Sequence, residues 1–358
     1  MLVPVKRALF RKFRQSVITK HELNYLFWEC TTRCNLNCLH CGSDCSKSGT
    51  YPDMPLADFL SAVDTISNPA PNFTVVMTGG EPLLRNDIEL CGREIRKRSM
   101  RWSLVSNGML YDEEKHISLL NAGLGALTLS IDGLEHSHNW LRNSPVSFER
   151  AINAIGLAAG APRLNFDVVT CVNPVNISEL DQIMDILIHH GVRAWRLFTI
   201  APIGRAENNP DLHLSDDQFL TLMDFICTSR EEKRIDVKFS CEGYVGQYEW
   251  KVRDAGFFCR AGINIGSILA DGSVSACPNV DRAFSQGNIY KDNFYEVWQR
   301  KYEPFRDRTW ARRGQCADCS HFRDCLGNGL HNWQAEPKRL LVCHNENLNR
   351  AMRKRMAM

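Results

Sequence analysis

The run CTTRCNLNCLHCGSDC, residues 30–45, holds five of the chain's 15 cysteines. Thiols this dense serve disulfides, a packed interior or a metal. An odd total cannot pair completely into disulfides. The opening MLVPVKRALFRKFRQSVITK sets basic residues around short apolar groups and has no small-residue cleavage site, so it does not read as a secretory signal. No apolar run is long enough to span a bilayer. The chain reads as cytoplasmic, where thiols stay reduced and clustered cysteines mark metal. Cysteines two or three residues apart can converge on one centre from a single loop. Here the spacing is Cys30-x3-Cys34-x3-Cys38-x2-Cys41-x3-Cys45. Four of these would satisfy zinc. Structural zinc sites, however, usually join C-x2-C pairs from two segments, and this run has one such pair. The single loop reads as a working site rather than a staple.

A second set, Cys259, Cys277, Cys316, Cys319, Cys325 and Cys343, lies in the last third. Taken alone it fits either a zinc ribbon or iron–sulfur ligation. Cys91, Cys171 and Cys227 fall inside helix or strand patterns and read as core.

The elements that must position these residues alternate. YLFWEC (25–30), FTVVMT (73–78), WSLVS (102–106), ALTLSID (126–132), NFDVVTCV (165–172) and AWRLFTI (194–200) read as strands. Between them come helical patterns: 56–66, 86–98 opening at an Asn86 cap, and 147–160. Ser178 with Asp181 and Ser215 with Gln218 have capping-box spacing and open two further helices. About six β-then-α units imply a parallel sheet with right-handed crossovers, open or curled into a partial barrel. Chemistry in such folds sits in the loops after the strands. The cysteine run, TGGEP, SNG and SIDG all fall there, after the first four strands. GSILADGSVSACP reads as a hairpin turning at Asp271-Gly272.

Composition is ordinary. The 358 residues are 44% hydrophobic and 23% charged, with net charge +2, which does not suggest a nucleic-acid binder. Lys6, Arg7, Arg11, Lys12 and Arg14 lie among Val5, Leu9, Phe10 and Phe13. That pattern suits a helix packed outside the barrel with its basic face in water, or a basic amphipathic helix for an acidic partner or membrane surface.

Cys34-Asn-Leu-Asn-Cys38-Leu-His-Cys41 resembles the CxxxCxxC motif of radical S-adenosylmethionine (SAM) enzymes. The resemblance implies a partial (β/α)6 TIM-like barrel and a [4Fe–4S] cluster on Cys34, Cys38 and Cys41. The fourth iron would be left open for SAM, as an open catalytic metal position. Gly79-Gly80-Glu81-Pro82 matches the family's GGE motif, which implies that Glu81 accepts from the SAM ammonium. His40 takes the position of the family's ring beside adenine. Asn107 and Ser130 take positions near the ribose and carboxylate. Arg142 is implied as partner of the SAM carboxylate.

The second set resembles the SPASM extension of the same superfamily. Cys259, Gly272 and Cys277 fit its first part; Cys316, Cys319, Cys325 and Cys343 fit its second cluster. One cysteine of the pattern would fall at 329, where the chain has Gly329. In the family it serves the first auxiliary cluster, which here keeps Cys259 and Cys277, with Cys241 as the candidate third ligand. Three ligands would leave an open iron able to take a substrate atom or a non-cysteine ligand; otherwise the site is degenerate and empty. APIGRA (201–206) is also familiar from these enzymes. The implied organisation is a basic segment 1–22, a barrel 23–232, a bridge 233–258, an auxiliary-cluster domain 259–345 and a basic tail 346–358.

The implied activity is reductive cleavage of SAM and hydrogen abstraction from a ribosomally made peptide, leaving a crosslink or an oxidised residue. A small metabolite, carbohydrate or cofactor precursor is the alternative substrate class, and a non-catalytic iron–sulfur redox sensor the remote one. Cys277-Pro278-Asn279 lacks the acid that sulfatase-maturating members carry after that cysteine. The first strand begins too early for a winged leader-binding module ahead of it. A precursor peptide or protein would then engage the barrel, the basic N-terminal segment or an adaptor. Oxygen-labile clusters imply an anaerobic setting and a flavodoxin or ferredoxin donor. Candidate catalytic groups are Asp132, Glu135, His136, His138 and Glu242, near the ends of predicted loops.

Overall fold

The computed structural model describes residues 3–240 and 242–357. Seven parallel strands follow one another in chain order: β1 (Tyr25–Thr31), β2 (Thr74–Gly79), β3 (Arg101–Ser106), β4 (Ala126–Ser130), β5 (Asn165–Val172), β6 (Ala194–Thr199) and β7 (Asp236–Phe239). On the other side of β1 lies β8 (Ile265–Ile268), also parallel, followed by antiparallel β9 (Ser273–Ser275) and β10 (Gly287–Asn288). The sheet therefore keeps two edges, at β7 and β10. A ribbon, β11 (Trp333–Gln334) and β12 (Arg339–Leu340), stands apart.

Helix α1 (Val3–Lys20) precedes the sheet. The crossovers carry α2 (Leu56–Val63), α3 (Ile88–Lys97), α4 (Glu113–Asn121), α5 (Glu135–Arg142), α6 (Ser147–Ala159), α7 (Leu180–His189) and α8 (Asp216–Glu232). The last third adds α9 (Phe294–Arg300), α10 (Glu303–Arg306), α11 (Phe322–Cys325) and α12 (His344–Ala357). No helix among the described residues is long and apolar enough to cross a membrane.

Strand alternation explains how β1 serves two layers. Leu26, Trp28 and Cys30 share one face, and the Trp28 ring stacks on Phe59 of α2 at 4.0 Å. Both rings are fully buried, and each contributes about 1.5–3 kcal/mol to the core. Cys30 sits on that side, its Sγ 3.4 Å from the Thr78 carbonyl. Glu29 and Thr31 are left on the opposite face.

Several expectations need correction. Glu135, His136 and His138 lie on α5 rather than in a loop; EHSHNWLR has too few apolar residues to announce a helix. Ser215 caps α8 through the expected reciprocal bonds with Gln218, at 3.0 and 3.2 Å. Ser178 does not cap α7, because Ile177–Glu179 forms a 3-10 turn organised by Asn173 and Asn176 instead. Asn86 is not the cap of α3 either. Asp87 precedes the first helical residue, and Arg85 holds its carboxylate.

Helix α1 also turns out differently. Two of its basic residues dock inward while Lys6 and Lys12 stay exposed: Arg11 grips both carboxylate oxygens of Asp324, and Arg14 is buried, donating to the carbonyls of Arg323 and Asp324. Val5, Leu9 and Phe13 are the residues left about half exposed. Carbonyls at the end of α11 need donors, and arginine supplies them where apolar side chains cannot.

Candidate active site and metal centres

The cysteine loop leaves β1 and is held from three directions. Cys34 N–H donates to the Ser46 carbonyl, and Leu39 N–H to the Leu141 carbonyl at the end of α5. From the loop after β6, Arg205 donates to the carbonyls of Cys38 (2.7 Å) and Cys45 (2.9 Å) and pairs with Asp44. Gly204 has φ +57°, and a Cβ there would stand 2.4 Å from the Cys41 carbonyl. The APIGRA stretch thus clamps the cysteine loop, a role its sequence did not disclose.

Burial pushes the Cys34 thiol up to about 11, and Cys38 and Cys41 add to the rise. Burial likewise raises Cys38, against the pull of Arg142. One buried and two half-buried thiols that repel one another's ionised forms suit a shared cationic centre, which would deprotonate them. Cys41 is held below its ordinary value by a hydrogen bond with the Cys45 side chain. Cys45 therefore touches Cys41.

The GGE turn follows β2. A Cβ at Gly79 would lie 2.0 Å from the Thr31 carbonyl, and one at Gly80 2.1 Å from the Arg33 carbonyl. Glycine alone lets this turn lie against the root of the cysteine loop. Glu81 is fully buried. One oxygen accepts from Leu83 N–H (3.1 Å) and Ser106 Oγ (2.9 Å), the other from Asn107 N–H (2.8 Å). Burial raises its carboxyl to about 7 despite these bonds.

The remaining sequence-selected groups divide. The Asn107 amide donates to Asn35 (2.8 Å) and reaches to 3.9 Å from Cys34 Sγ. Ser130 ends β4 and is buried. Arg142 is paired with buried Asp132 at 2.5 Å and lies 3.9 Å from Cys38 Sγ. Burial works against the Asp132 carboxylate, but Arg142 and the Cys171 N–H hold it below the usual range. His40 Nε2 lies 4.0 Å from Asp132, and its buried Nδ1 has no partner. Burial drops His40 to about 4, so it is neutral. His138 accepts Asp132 N–H at 2.9 Å and is buried; burial drops it to about 3. Glu135 and His136 are exposed, away from this group.

In the last third, burial raises Cys316 to about 11, with Cys343 and Cys319 adding to it. Cys325 is raised by burial and by Cys343, Cys316 and Cys319. These four thiols face one another, again a donor set that a metal cluster satisfies. Cys259 stands apart. Burial opposes its thiolate, but Arg308 and the Leu330 N–H outweigh it and lower the thiol. Cys241 lies outside the described residues.

Comparisons with known proteins converge on this arrangement. The profile of the Radical SAM superfamily matches residues 28–187, and that of the SPASM iron–sulfur cluster-binding domain matches 259–320. The chain belongs to the radical SAM superfamily. It is a radical SAM/SPASM enzyme whose cofactors are [4Fe–4S] clusters and SAM. It is 26% identical over 321 residues to the AdoMet-dependent heme synthase of Methanosarcina barkeri, covering 84% of this chain and 89% of that protein. It is 26% identical over 309 residues to the mycofactocin maturase MftC of Mycobacterium tuberculosis, covering 84% and 77%. The fold is that of Streptococcus suis SuiB bound to precursor peptide SuiA, with TM-score 0.67, 14% identity and coverage of 88% and 74%. It is equally that of anSMEcpe with bound AdoMet and Cp18Cys peptide, with TM-score 0.68, 18% identity and coverage of 94% and 98%.

The radical SAM/SPASM enzyme has a cleft of about 350 Å³ between its two cysteine-bearing portions. Gly42–Asp44 and Pro202–Gly204 form one wall; Pro278–Arg282, His331, Trp333 and Gln334 form the other. Glu29, also lining it, is buried and accepts from Arg282 (2.6 Å) and Ala270 N–H (2.9 Å). Sequence reading missed Glu29, Arg282, Arg205 and His331. Glu29 did carry a signal: an acid inside the apolar strand YLFWEC must have a partner. Glu242 is buried, 2.8 Å from Thr199 Oγ1 and 3.8 Å from His331 Nε2. Burial opposes its ionised form, but His331 outweighs that and lowers the carboxyl.

Proposed function

We propose that Cys34, Cys38 and Cys41 hold the SAM-binding cluster and that the enzyme abstracts hydrogen from a peptide entering the cleft. When bound, the cluster would supply one electron to SAM, breaking its C5′–S bond into methionine and a 5′-deoxyadenosyl radical able to take a hydrogen atom from substrate. Glu81 receives the SAM ammonium, which stabilises its ionised form where burial alone opposes it. Arg142, held by Asp132, presents its remaining N–H groups to the SAM carboxylate. His40 stays neutral beside the adenine. Cys316, Cys319, Cys325 and Cys343 hold an auxiliary cluster.

The cleft lining carries the choice of a peptide. Glu29, Asp44, Glu207 and Asp281 stand there against Arg282. Arg282 already serves Glu29 and Arg205 serves Asp44, so Glu207 and Asp281 leave the lining net acidic. Such a lining accepts backbone amides and basic side chains. It disfavours a substrate studded with carboxylates, which needs arginine at the rim. That fold neighbours have been solved with peptides supports the reading.

A second reading has its own observation. The match to the heme synthase spans most of both chains, which favours a porphyrin substrate. Formation of 5′-deoxyadenosine by the reconstituted enzyme under a strong reductant, free of oxygen, separates the two. Stimulation by short lysine-containing peptides and not by iron coproporphyrin is expected. Stimulation by the porphyrin alone would replace the peptide reading.

A further inference from the structure

We propose that His331 is a nitrogen ligand of the first auxiliary cluster, supplying the donor that position 329 lacks. The inference rests on the auxiliary iron–sulfur reading of Cys259 and Cys277. The related pattern places a cysteine at 329, and this chain has glycine. The space beside Gly329 is occupied. A Cβ built there would stand 2.6 Å from His331 Cε1 and 3.0 Å from His331 Nδ1. The imidazole thus stands where a cysteine side chain would begin.

The neighbouring groups agree with a ligand. The Leu330 N–H donates to the Cys259 thiol, which lays the 329–331 segment against that cysteine. His331 shares the cleft wall with Pro278 and Asn279, directly after Cys277. Its Nε2 is flanked by the Asn332 side-chain NH2, a donor at 3.1 Å, and by Glu242 Oε2 at 3.8 Å. The Cε1–Nδ1 edge is turned to the vacated side-chain position. A carboxylate near one ring nitrogen keeps a charge on the side of the ring away from the metal position. Glu242 is itself fixed by Thr199, so the ring is oriented from behind.

The test uses the full chain, reconstituted without oxygen, with and without ¹⁵N-labelled histidine. Iron and sulfide are counted and pulsed EPR is recorded on the dithionite-reduced protein. The expected result is about twelve irons per chain with a strong histidine nitrogen coupling. In His331→Ala the coupling disappears and about four irons are lost. The double variant His331→Ala/Gly329→Cys recovers the iron without the coupling. Twelve irons with no histidine coupling in the unaltered enzyme would overturn the role of His331 while leaving the cluster in place. About eight irons in the unaltered enzyme would overturn the first auxiliary cluster itself.

Discussion

At the residue scale, the five cysteines of the first run differ in what surrounds them. Cys34, Cys38 and Cys41 influence one another, Cys30 points to the helical layer, and Cys45 hydrogen-bonds to Cys41. Replacing Cys34, Cys38 or Cys41 by alanine should drop 5′-deoxyadenosine formation to background. Cys30→Ala and Cys45→Ala should retain it. Loss of cleavage in a well-folded Cys45→Ala protein would show that the ligating frame has been misassigned. Glu81 gives a prediction of a different kind. Its carboxyl rises from an ordinary 4.5 to about 7. Between those values the folded state binds more protons than the unfolded chain, so stability falls as pH rises through that window. The loss is on the order of 3 kcal/mol at full ionisation. Without SAM, Glu81→Gln should remove most of this slope, read as denaturant midpoints at several pH values. The same variant should bind SAM poorly. An unchanged slope would place the titration elsewhere.

At the element scale, the loop after β6 holds the cysteine loop through backbone contacts. Gly204 needs its positive φ, and any Cβ would collide with the Cys41 carbonyl. Gly204→Val should cost more than about 1–3 kcal/mol and lower iron retention while the rest folds. Circular dichroism and iron content read the two effects separately, and full iron content would show that the clamp is dispensable. This contact also marks a boundary of what the sequence discloses. The parallel strands and the βα loops between them are local patterns, and they were readable. The Arg205 clamp joins residues far apart in the chain, and nothing in APIGRA says which carbonyls it meets. Helix α5 escaped because EHSHNWLR has no apolar stripe, although it delivers His138 and Arg142 to the site. The hairpin at Asp271-Gly272 was readable. That its first strand would extend the sheet beside β1 was not, because pairing partners depend on the whole topology.

At the scale of the whole molecule, the two ends of the chain brace the cysteine-bearing portions. Helix α12 joins α8 through Arg350 and Asp216, and the His344 ring lies against Phe219 at 5.3 Å. Helix α1 reaches across to α11, which carries Cys325. The two arginines there are unequal. Arg11 is one-third exposed in its ion pair with Asp324, so Arg11→Ala should cost no more than about 1 kcal/mol. Arg14 is 5% exposed, and its removal strands the carbonyls of Arg323 and Asp324 without donors. A charge-assisted bond of this kind is worth about 1.5–3 kcal/mol, so Arg14→Ala should be clearly the more destabilising. The damage should also be directional. The end of α11 would loosen beside Cys325, and the auxiliary cluster assigned to that cysteine should bleach faster in oxygen. The SAM-binding cluster, held by β1, β2 and the Arg205 clamp, should bleach at its former rate. EPR of each cluster during timed air exposure reads both rates in one sample. Equal acceleration of both would mean that α1 steadies the molecule as a whole rather than the auxiliary site.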